Sequence, residues 1–351
     1  MRENLFKGKM KLLITLIFLL TIISCSNSKN IIYNNLDSQE STLVWPPYPQ
    51  TPRIKFITCI YAPSDFGISK SWVENAIEMF FGKEQFYGTM LRPYGIYALN
   101  KNLYITDPGA HIVHIYNSKG KYILIKDAGS EEIQSPIGIA VDEEENIYVT
   151  DSALKKVFVF DANGKFRYEI GSSNLFIRPS GIALTKDTIY VIDTHSHRVL
   201  VFNKKGELLF SFGNQGNQKG EFNYPTNIFI DKQENLYITD SLNFRIQIFD
   251  KNGKFLSMFG KAGDGSGDLS RPKGVAVDSE GHIYVVDSNF DNVQIFDKEG
   301  RLLLVFGKTG TGNGELILPA GIFIDNNDFI YLADSYNHRI QVFKYLKNKV
   351  E

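Results

Sequence analysis

Four short runs rich in β-branched and aromatic residues follow Pro225: Thr226-Asn-Ile-Phe-Ile-Asp231, Asn235-Leu-Tyr-Ile-Thr-Asp240, Arg245-Ile-Gln-Ile-Phe-Asp250 and Lys254-Phe-Leu-Ser-Met-Phe-Gly260. Turn residues bound each run, and this length and composition favour β-strands. Asn252-Gly253 lies between the third and fourth runs, where a glycine supplies the positive φ of a tight hairpin. The stretch therefore predicts a meandering antiparallel sheet, whose strands we call a, b, c and d in chain order.

The same pattern occurs six times, and its copies begin at Pro93, Pro136, Pro179, Pro225, Pro272 and Pro319. Successive copies are 43 to 47 residues apart, the length of one four-stranded propeller blade. A single sheet of this size has exposed faces and an open edge, so the blades must stack radially to be stable. We therefore predict an all-β fold, a monomeric six-bladed β-propeller over residues 53–346, followed by a short tail, 347–351.

The two ends of the chain predict how the ring closes. The last copy supplies strands a, b and c, but no strand d follows it. Arg53-Ile-Lys-Phe-Ile-Thr-Cys-Ile-Tyr61 is a strand-like run ahead of the first copy. We predict that residues 53–61 pair with residues 339–346, which removes an open sheet edge.

An insertion, residues 62–92, separates this closing strand from the first copy. Its apolar residues over 69–81 have the spacing of one amphipathic helix that begins at a serine. Packing on the ring and binding of a partner are the two interpretations of this helix.

The N-terminus has the features of a lipoprotein signal peptide over residues 1–24. Four basic residues precede a mostly apolar run, Leu12–Ile23, which is short for a membrane span and suits a signal peptide. Ile22-Ile23-Ser24-Cys25 resembles the bacterial lipobox, which implies cleavage after Ser24 and lipidation of Cys25. An ordinary secretory signal, or an uncleaved anchor with Cys25 incidental, is the alternative.

Residues 25–52 are predicted to tether the ring to the membrane of a bacterial cell envelope. Residues 26–44 are rich in Ser and Asn, and Trp45-Pro-Pro-Tyr-Pro-Gln-Thr-Pro52 forms a stiffer spacer. Without residues 1–24 the chain has 34 basic and 38 acidic residues, so its charge gives no support to nucleic-acid binding. Cys59 then remains as a single thiol, and we expect it to be a small buried apolar group.

The repeat reads Pro-x-Gly-Ile-Ala, Ile-Tyr-Val-x-Asp-Ser and His-Arg-Ile-Gln-Val-Phe, and it resembles the NHL repeat. Asp334-Ser-Tyr-Asn-His-Arg-Ile-Gln-Val-Phe343 matches it closely, and six copies cover about residues 93–346. The segment Trp45-Pro-Pro-Tyr-Pro-Gln-Thr-Pro-Arg-Ile54 also resembles a group of bacterial six-bladed NHL propeller lipoproteins. NHL membership implies the fold but no single activity, because relatives include RNA-binding translational repressors, sensor domains of bacterial kinases and zinc-dependent amidating lyases.

In those lyases, metal-binding histidines follow the Pro that opens strand a. Here that position holds Tyr94, Ile137, Ser180, Thr226, Lys273 and Ala320. The resemblance therefore brings no zinc ligand set to this chain.

An aspartate ends strand b in every copy: Asp107, Asp151, Asp193, Asp240, Asp287 and Asp334. A sixfold residue is not a unique catalytic group, so we predict that these carboxylates accept backbone N–H bonds at the b–c turn. Arg198, Arg245 and Arg339, with Lys156 as a weaker stand-in, are predicted to reach back to them. The glycine-rich connectors between strands d and a open no helix and are not phosphate sites.

Loops on one face of the ring vary, and we predict the recognition surface there. Because strands alternate in direction, the b–c and d–a loops share one face, which we call the b–c/d–a face. The candidate binding residues in its b–c loops are His111, His195, His197, Phe244, Phe290 and Tyr336. The structural alternative is that the loop sequences vary because nothing constrains them, and that Phe244 and Phe290 pack on adjacent blades.

These observations predict a membrane-anchored binding or scaffold propeller that presents the b–c/d–a face to a protein, peptide or glycan. No residue is assigned a catalytic role, and no cofactor is predicted. The alternative is a metal-dependent enzyme, a lyase or lactonase-like hydrolase, with its site in the central channel and Zn²⁺ or Ca²⁺ bound by residues such as His111, His195 and His197.

Overall fold

The computed structural model describes residues 43–68, 88–171 and 174–347. Within them, six antiparallel sheets form the blades of a ring. Strand a of each blade contacts strand a of the next, and strand a of blade 6 contacts strand a of blade 1. The predicted six-bladed propeller is therefore confirmed, with the a strands around a central channel.

The blades have the following strands. Blade 1 contains β3 (Ile96–Leu99), β4 (Asn102–Asp107), β5 (Ile112–Asn117) and β6 (Lys121–Ile125). Blade 2 contains β9 (Pro136–Val141), β10 (Ile147–Asp151), β11 (Lys156–Phe160) and β12 (Phe166–Ile170). Blade 3 contains β13 (Pro179–Leu184), β14 (Thr188–Asp193), β15 (Arg198–Asn203) and β16 (Leu208–Phe212).

The second half of the ring repeats this order. Blade 4 contains β17 (Pro225–Ile230), β18 (Leu236–Asp240), β19 (Arg245–Phe249) and β20 (Phe255–Phe259). Blade 5 contains β21 (Pro272–Val277), β22 (Ile283–Asp287), β23 (Asn292–Phe296) and β24 (Leu302–Phe306). Blade 6 contains β25 (Ile322–Ile324), β26 (Phe329–Asp334), β27 (Arg339–Tyr345), β2 (Ile54–Ile60) and β1 (Val44–Trp45).

A small ribbon and four one-turn helices complete the regular structure of the described residues. The ribbon pairs β7 (Asp127–Ala128) with β8 (Glu131–Glu132) between blades 1 and 2. The helices are of the 3₁₀ type and span Pro63–Phe66, Thr194–Ser196, Ser241–Asn243 and Ser335–Asn337. The last three form the b–c turns of blades 3, 4 and 6.

Burial follows the position of a strand in its blade. Strands b of blades 2 to 6 are buried at nearly every residue, because a neighbouring blade covers each face. Strands d of blades 2 and 5 alternate between half-buried and exposed residues, as outermost strands do. The repeated apolar pattern is therefore a consequence of radial stacking.

The hydrophobic core consists of clusters that lie between neighbouring blades. One such cluster joins Tyr237 and Ile246 of blade 4 to Leu269, Val275 and Ile283 of blade 5. The cluster between blades 6 and 1 also takes Ile60 of the closing strand and Phe66 of the insertion. Each blade is thus stabilised by both neighbours.

The predicted ring closure is confirmed. Strand β2 pairs with β27 in antiparallel register, from Ile54 opposite Tyr345 to Ile60 opposite Ile340. The Arg339 guanidinium donates to the Tyr61 hydroxyl at 2.9 Å. The N-terminal strand therefore completes blade 6 as its fourth strand.

One part of the predicted tether belongs to the ring. Val44 and Trp45 pair with Lys55 and Ile54 as a fifth, edge strand of blade 6. The Trp45 ring lies 5.8 Å from the rings of both Phe306 and Phe343. The half-buried ring packs against blades 5 and 6, so residues 44 and 45 belong to the ring and not to the predicted tether.

Several predictions fall outside the described residues. These are the signal peptide (1–24), Cys25, the tether up to residue 42, the helix over 69–81 and the tail from residue 348. Within the described ranges, no helix is long and apolar enough to cross a membrane. The described ends of the insertion contain the 3₁₀ helix, and its Phe66 ring lies 5.5 Å from that of Tyr116.

Deletion of residues 43–61 is expected to destabilise the whole ring, because β27 becomes an open edge and the cluster between blades 6 and 1 loses Ile60. We expect a lower Tm and concentration-dependent association, measured by calorimetry and size-exclusion chromatography. Deletion of residues 26–42 is the control and should leave Tm unchanged. An unchanged Tm in the first deletion would contradict the closing role.

Candidate functional site

The six repeated aspartates are structural groups at the b–c/d–a face. All are fully buried, with 0% of each residue exposed. Asp151, for example, accepts N–H bonds from Gln134 and Ser135, which precede strand a, and from Ala153 and Leu154 in the b–c turn, at 2.8 to 3.0 Å. Every carboxylate thus fixes a connector, and the predicted N–H bonds from the b–c turn form in blades 1, 2 and 5.

The predicted arginine pairs form in two blades only. The Nε atoms of Arg245 and Arg339 lie 2.7 Å from the Oδ2 atoms of Asp240 and Asp334. These two aspartates receive a single connector amide each, from Asn223 and from Ile317, which leaves oxygen lone pairs for the guanidinium.

The other two expected pairs are wrong. Lys156 binds Glu131 and Glu169 at 2.8 and 3.0 Å, because four amides already occupy Asp151. Arg198 donates to the Ser196 hydroxyl at 3.2 Å.

In blade 1 the aspartate faces a histidine. His114 lies in β5 and is fully buried, away from the b–c/d–a face. Its Nε2 atom is 3.6 Å from Asp107 Oδ2, while the amides of Leu91 and Arg92 donate to Asp107 at 2.5 and 2.9 Å. Burial acts to raise the pKa of Asp107, but His114 and these amides outweigh it and lower that pKa.

The fourth residue after each aspartate adopts a left-handed backbone conformation, with φ between 50° and 60°. These residues are His111, Lys155, His197, Phe244, Asp291 and His338. Four of them use their side chains to hold the connector of the following blade: His111 at Gln134 O, His197 at Tyr224 N, Asp291 at Leu318 N and His338 at Leu91 O. Two of the three predicted histidines therefore clamp neighbouring blades.

The six candidate residues all lie on the b–c/d–a face but are spread over five blades. His111, His195 and Tyr336 are exposed, whereas His197 is buried. Phe244 and Phe290 are half-buried, and Phe244 packs on the cluster between blades 4 and 5. The structure thus agrees with a packing role for Phe244. The side chains of His195 and Tyr336 are accessible to a binding partner.

The same face carries three exposed arginines that the sequence analysis missed. Arg92, Arg178 and Arg271 each precede the Pro of strand a, in blades 1, 3 and 5. Their backbone amides donate to the buried aspartates of their own blades at 2.7 to 3.0 Å. The position before the repeated Pro was the signal that could have revealed them.

Large apolar side chains are also exposed on this face. They are Leu91, Ile177, Tyr224, Leu242 and Tyr336, which are 38–55% exposed. The Arg92 guanidinium lies over the Tyr336 ring at 5.1 Å, and the His195 ring is 5.4 Å from that of Tyr224. The face therefore combines cationic and aromatic groups on a scaffold held by buried carboxylates.

A central cavity of about 570 Å³ runs along the a strands. It is bounded by the six a strands and by a–b and c–d turn residues of blades 4 to 6, so it leads to the face opposite the b–c/d–a face. None of the six candidate residues lines it. The volume is typical of cavities that hold small molecules.

Aromatic rings cover part of the cavity wall. The fourth residue after the repeated Pro is aromatic in blades 1, 4 and 6, as Tyr97, Phe229 and Phe323, and alanine in the other blades. The Phe323 ring lies 4.4 Å from Tyr97 and 6.2 Å from Phe229. Burial, with smaller effects from Asp142 and Tyr104, raises the pKa of Tyr97 to about 12, so its hydroxyl stays neutral.

Aspartates at the cavity mouth are engaged in turns. Asp231 accepts N–H bonds from Gln233 and Asn235 through Oδ1, and the Tyr237 hydroxyl donates to its Oδ2. Asp278 and Asp325 have the same arrangement in blades 5 and 6. Asp231 and Asp278 each accept four hydrogen bonds from their own loops, and Asp325 accepts three.

Across residues 43–68, 88–171 and 174–347, no three His, Cys, Asp or Glu side chains come together as a metal site. Nδ1 of His111 and Nδ1 of His197 are already occupied by connector backbone. Cys59 is half-buried in β2 and lies 3.6 Å from Asn313. The described residues thus supply no ligand set for the metal-dependent alternative.

The family model described as 6-bladed beta-propeller matches residues 89–172, 169–240, 233–289 and 278–346. No curated protein matches the sequence.

Solved structures share the fold at low sequence identity. A virginiamycin B lyase from Staphylococcus aureus is 17% identical, with 73% of this chain and 96% of that chain covered and a TM-score of 0.55. A gluconolactonase from Xanthomonas campestris is 16% identical over 73% and 87% of the two chains, with a TM-score of 0.57. A Bacteroides thetaiotaomicron protein is 18% identical over 73% and 70%, with a TM-score of 0.56. At these identities the likeness shows the fold alone.

Substitution Asp334→Ala is expected to lower the free energy of unfolding by about 3–5 kcal/mol, because it leaves the buried Arg339 charge unpaired. Urea denaturation measures the loss. Asp264→Ala, at an exposed connector residue, is the control and should change stability little. A similar small effect at both positions would contradict the structural role of Asp334.

Because its pKa is lowered in the folded protein, Asp107 is predicted to make a pH-dependent contribution to the free energy of unfolding. Its stabilising contribution is present above the unfolded-state pKa of about 3.9 and is lost as pH falls through the lower folded-state pKa. Urea unfolding from neutral to acidic pH should show a smaller acid loss in Asp107→Asn than in the unmodified protein. Asp264→Asn should keep the acid loss of the unmodified protein; equal profiles in all three would contradict the assignment.

Proposed function

Because the chain belongs to the 6-bladed beta-propeller family, we propose that it is a binding or scaffold ring that presents its b–c/d–a face to a protein or peptide with acidic groups. This proposal rests on the exposed side chains of Arg92, Arg178 and Arg271. Exposed Tyr224 and Tyr336 lie on the same face. Arginine and tyrosine are the residue types that contribute most to protein interfaces.

Rigidity of the scaffold supports this role. The backbone of each arginine is held by a buried aspartate, and the connectors beside them are clamped by residues such as His197 and His338. A preformed surface loses little conformational entropy when it binds. Guanidinium groups also form paired hydrogen bonds with carboxylates, which favours an acidic partner.

The proposed location is a bacterial cell envelope, where lipid on Cys25 anchors a monomeric ring. The lipobox-like Ile22-Ile23-Ser24-Cys25 and the resemblance to NHL propeller lipoproteins support it. Several acyl chains anchor a protein stably where a single chain does not. The absence of a basic bias is in line with a partner other than nucleic acid.

The binding face can be tested by photo-crosslinking in intact cells. A photoreactive amino acid replaces Leu242 or Tyr336 on the b–c/d–a face, or Leu303 on the outer strand of blade 5 as control; all three are about half exposed. We expect crosslinked protein partners from the first two positions and not from the third. Crosslinks from position 303 alone would contradict the proposal.

Charge at the face gives a second test with a matched control. Arg92→Gln, Arg178→Gln and Arg271→Gln together should weaken capture of the crosslinked partner at least tenfold and reduce its salt dependence. Lys165→Gln, Lys205→Gln and Lys254→Gln remove the same charge from exposed c–d turns and should leave capture intact. Equal loss in both variants would show that net charge, and not this face, controls binding; capture of glycan in place of protein would redefine the partner.

Anchoring is tested separately. Cys25→Ser should abolish incorporation of a labelled fatty acid and move the protein from the membrane fraction to the soluble fraction. Metabolic labelling and fractionation measure both effects. Continued labelling or membrane retention would contradict lipidation at Cys25.

A further inference from the structure

Blade 4 departs from the other blades at the end of the central cavity that lies towards the b–c/d–a face. The second residue after the repeated Pro is glycine in five blades (Gly95, Gly138, Gly181, Gly274 and Gly321) and Asn227 in blade 4. A Cβ at Gly95, Gly138 or Gly321 would strike a carbonyl oxygen of the next blade, so these positions admit no side chain. Asn227 places a polar side chain at this level of the channel.

Blades 1 and 2 have a hydrogen-bonded threonine at the position where blade 4 lacks these bonds. The Thr106 hydroxyl accepts from Gly95 N and donates to Ile137 O of the next blade, both at 2.8 Å. The Thr150 hydroxyl connects Gly138 N and Ser180 O in the same way. In blade 4 the equivalent residue is Thr239, and its buried hydroxyl has no hydrogen-bond partner in the part of the chain that the structure describes.

A second hydroxyl beside it is also unsatisfied. The buried Oγ1 of Thr226 has no partner among the described residues, and Thr226 lines the cavity. Thr226 and Asn227 form the bulge opposite Thr239, because the pairing shifts between Pro225 and Ile228. Asn227 Oδ1 accepts from Val275 N at 3.4 Å, and its amide nitrogen makes no hydrogen bond in the described ranges. Unsatisfied buried polar groups are uncommon in folded proteins, and such a group requires an explanation.

Aromatic rings face the same space one layer away. Phe229 lies two residues beyond Asn227 on β17, about 7 Å along the strand. With Phe323 and Tyr97 it forms the aromatic part of the cavity wall. The cavity thus offers neutral hydrogen-bonding groups at this end and apolar ring surfaces beside them.

We propose that the channel binds a neutral sugar ring, whose C–H face packs on Phe229 and Phe323. Its hydroxyl groups meet Asn227 and, once the buried Thr226 hydroxyl rotates about the Cα–Cβ bond, Thr226. Hydroxyl and amide groups can donate to and accept from sugar hydroxyls, so the ligand supplies the missing bonds. Thr226 and Asn227 carry no charge, and the charged lining residues Lys232, Glu280 and Lys298 lie in turns at the opposite mouth, so an uncharged ring suits this end of the channel. This site is separate from the b–c/d–a face and does not depend on the function proposed for it.

The experiment uses the full chain, purified in a detergent that contains no sugar. Saturation-transfer NMR with methyl glycosides of glucose, galactose, mannose and N-acetylglucosamine detects contact, and calorimetry measures the affinity. We expect at least one of these glycosides to bind. No binding by any of them overturns the proposal.

Two substitutions separate binding from folding. Asn227→Gly gives blade 4 the residue of the other five blades and removes only the 3.4 Å bond from Val275 N, so we expect a nearly unchanged Tm with at least a tenfold loss of sugar affinity. Thr226→Val removes a hydroxyl that has no partner in the described residues, so Tm should hold while affinity falls severalfold. Affinity that survives both substitutions overturns the site.

A matched control distinguishes a structural threonine from a binding one. Thr150→Val breaks two hydrogen bonds between blades 2 and 3, and it should lower Tm without changing the sugar affinity. The triple arginine variant of the b–c/d–a face should also bind sugar normally. A crystal structure with the bound glycoside that shows only water at Thr226 and Asn227 would contradict the assignment.

Discussion

The buried carboxylate at the end of strand b is the interaction on which the ring depends. Each of these six aspartates is removed from water, and an uncompensated charge there would be strongly destabilising. The compensation comes in every blade from backbone amides of the connector before strand a. In blades 1, 2 and 5 amides of the b–c turn add to it, and in blades 4 and 6 an asparagine of the turn and an arginine do so. In these five blades the carboxylate therefore ties the innermost strand of its blade to the turn that covers the blade's end.

Because the ring relies on these bonds, residues that take part in the repeated hydrogen-bond network are unavailable for binding. A side chain that follows the repeat is engaged in holding the scaffold, as with His111 and His338 on the neighbouring connectors and Asp231 in its own turn. Residues that vary between blades at fixed backbone positions are not required by the ring. Arg92, Arg178 and Arg271 occupy one such position, and Asn227 occupies another. In a repeat protein, functional residues are best sought at equivalent repeat positions whose residue type differs between blades.

The sequence was sufficient for the fold and for closure, because both depend on patterns that recur every 43 to 47 residues. It was insufficient where a side chain has a choice of partners. Arg198 and Arg245 occupy the same repeat position, yet only Arg245 reaches its aspartate; Arg198 donates to the Ser196 hydroxyl and to Leu175 O. The prolines after Trp45 suggest a tether, whereas its ring packs on two blades.

The position at which the N-terminal chain joins the ring determines whether both faces of the ring are accessible to partners. Strand β1 pairs on the outer edge of β2, so the chain enters the described structure at the rim of blade 6 and not at either mouth of the channel. With Cys25 as the anchor, the 17 residues of 26–42 can span up to about 55–60 Å when extended. Under the proposed lipidation, a tether attached at the rim would leave the b–c/d–a face open to a large partner and the opposite mouth open to a small molecule. Attachment at either face would have blocked one of the two surfaces.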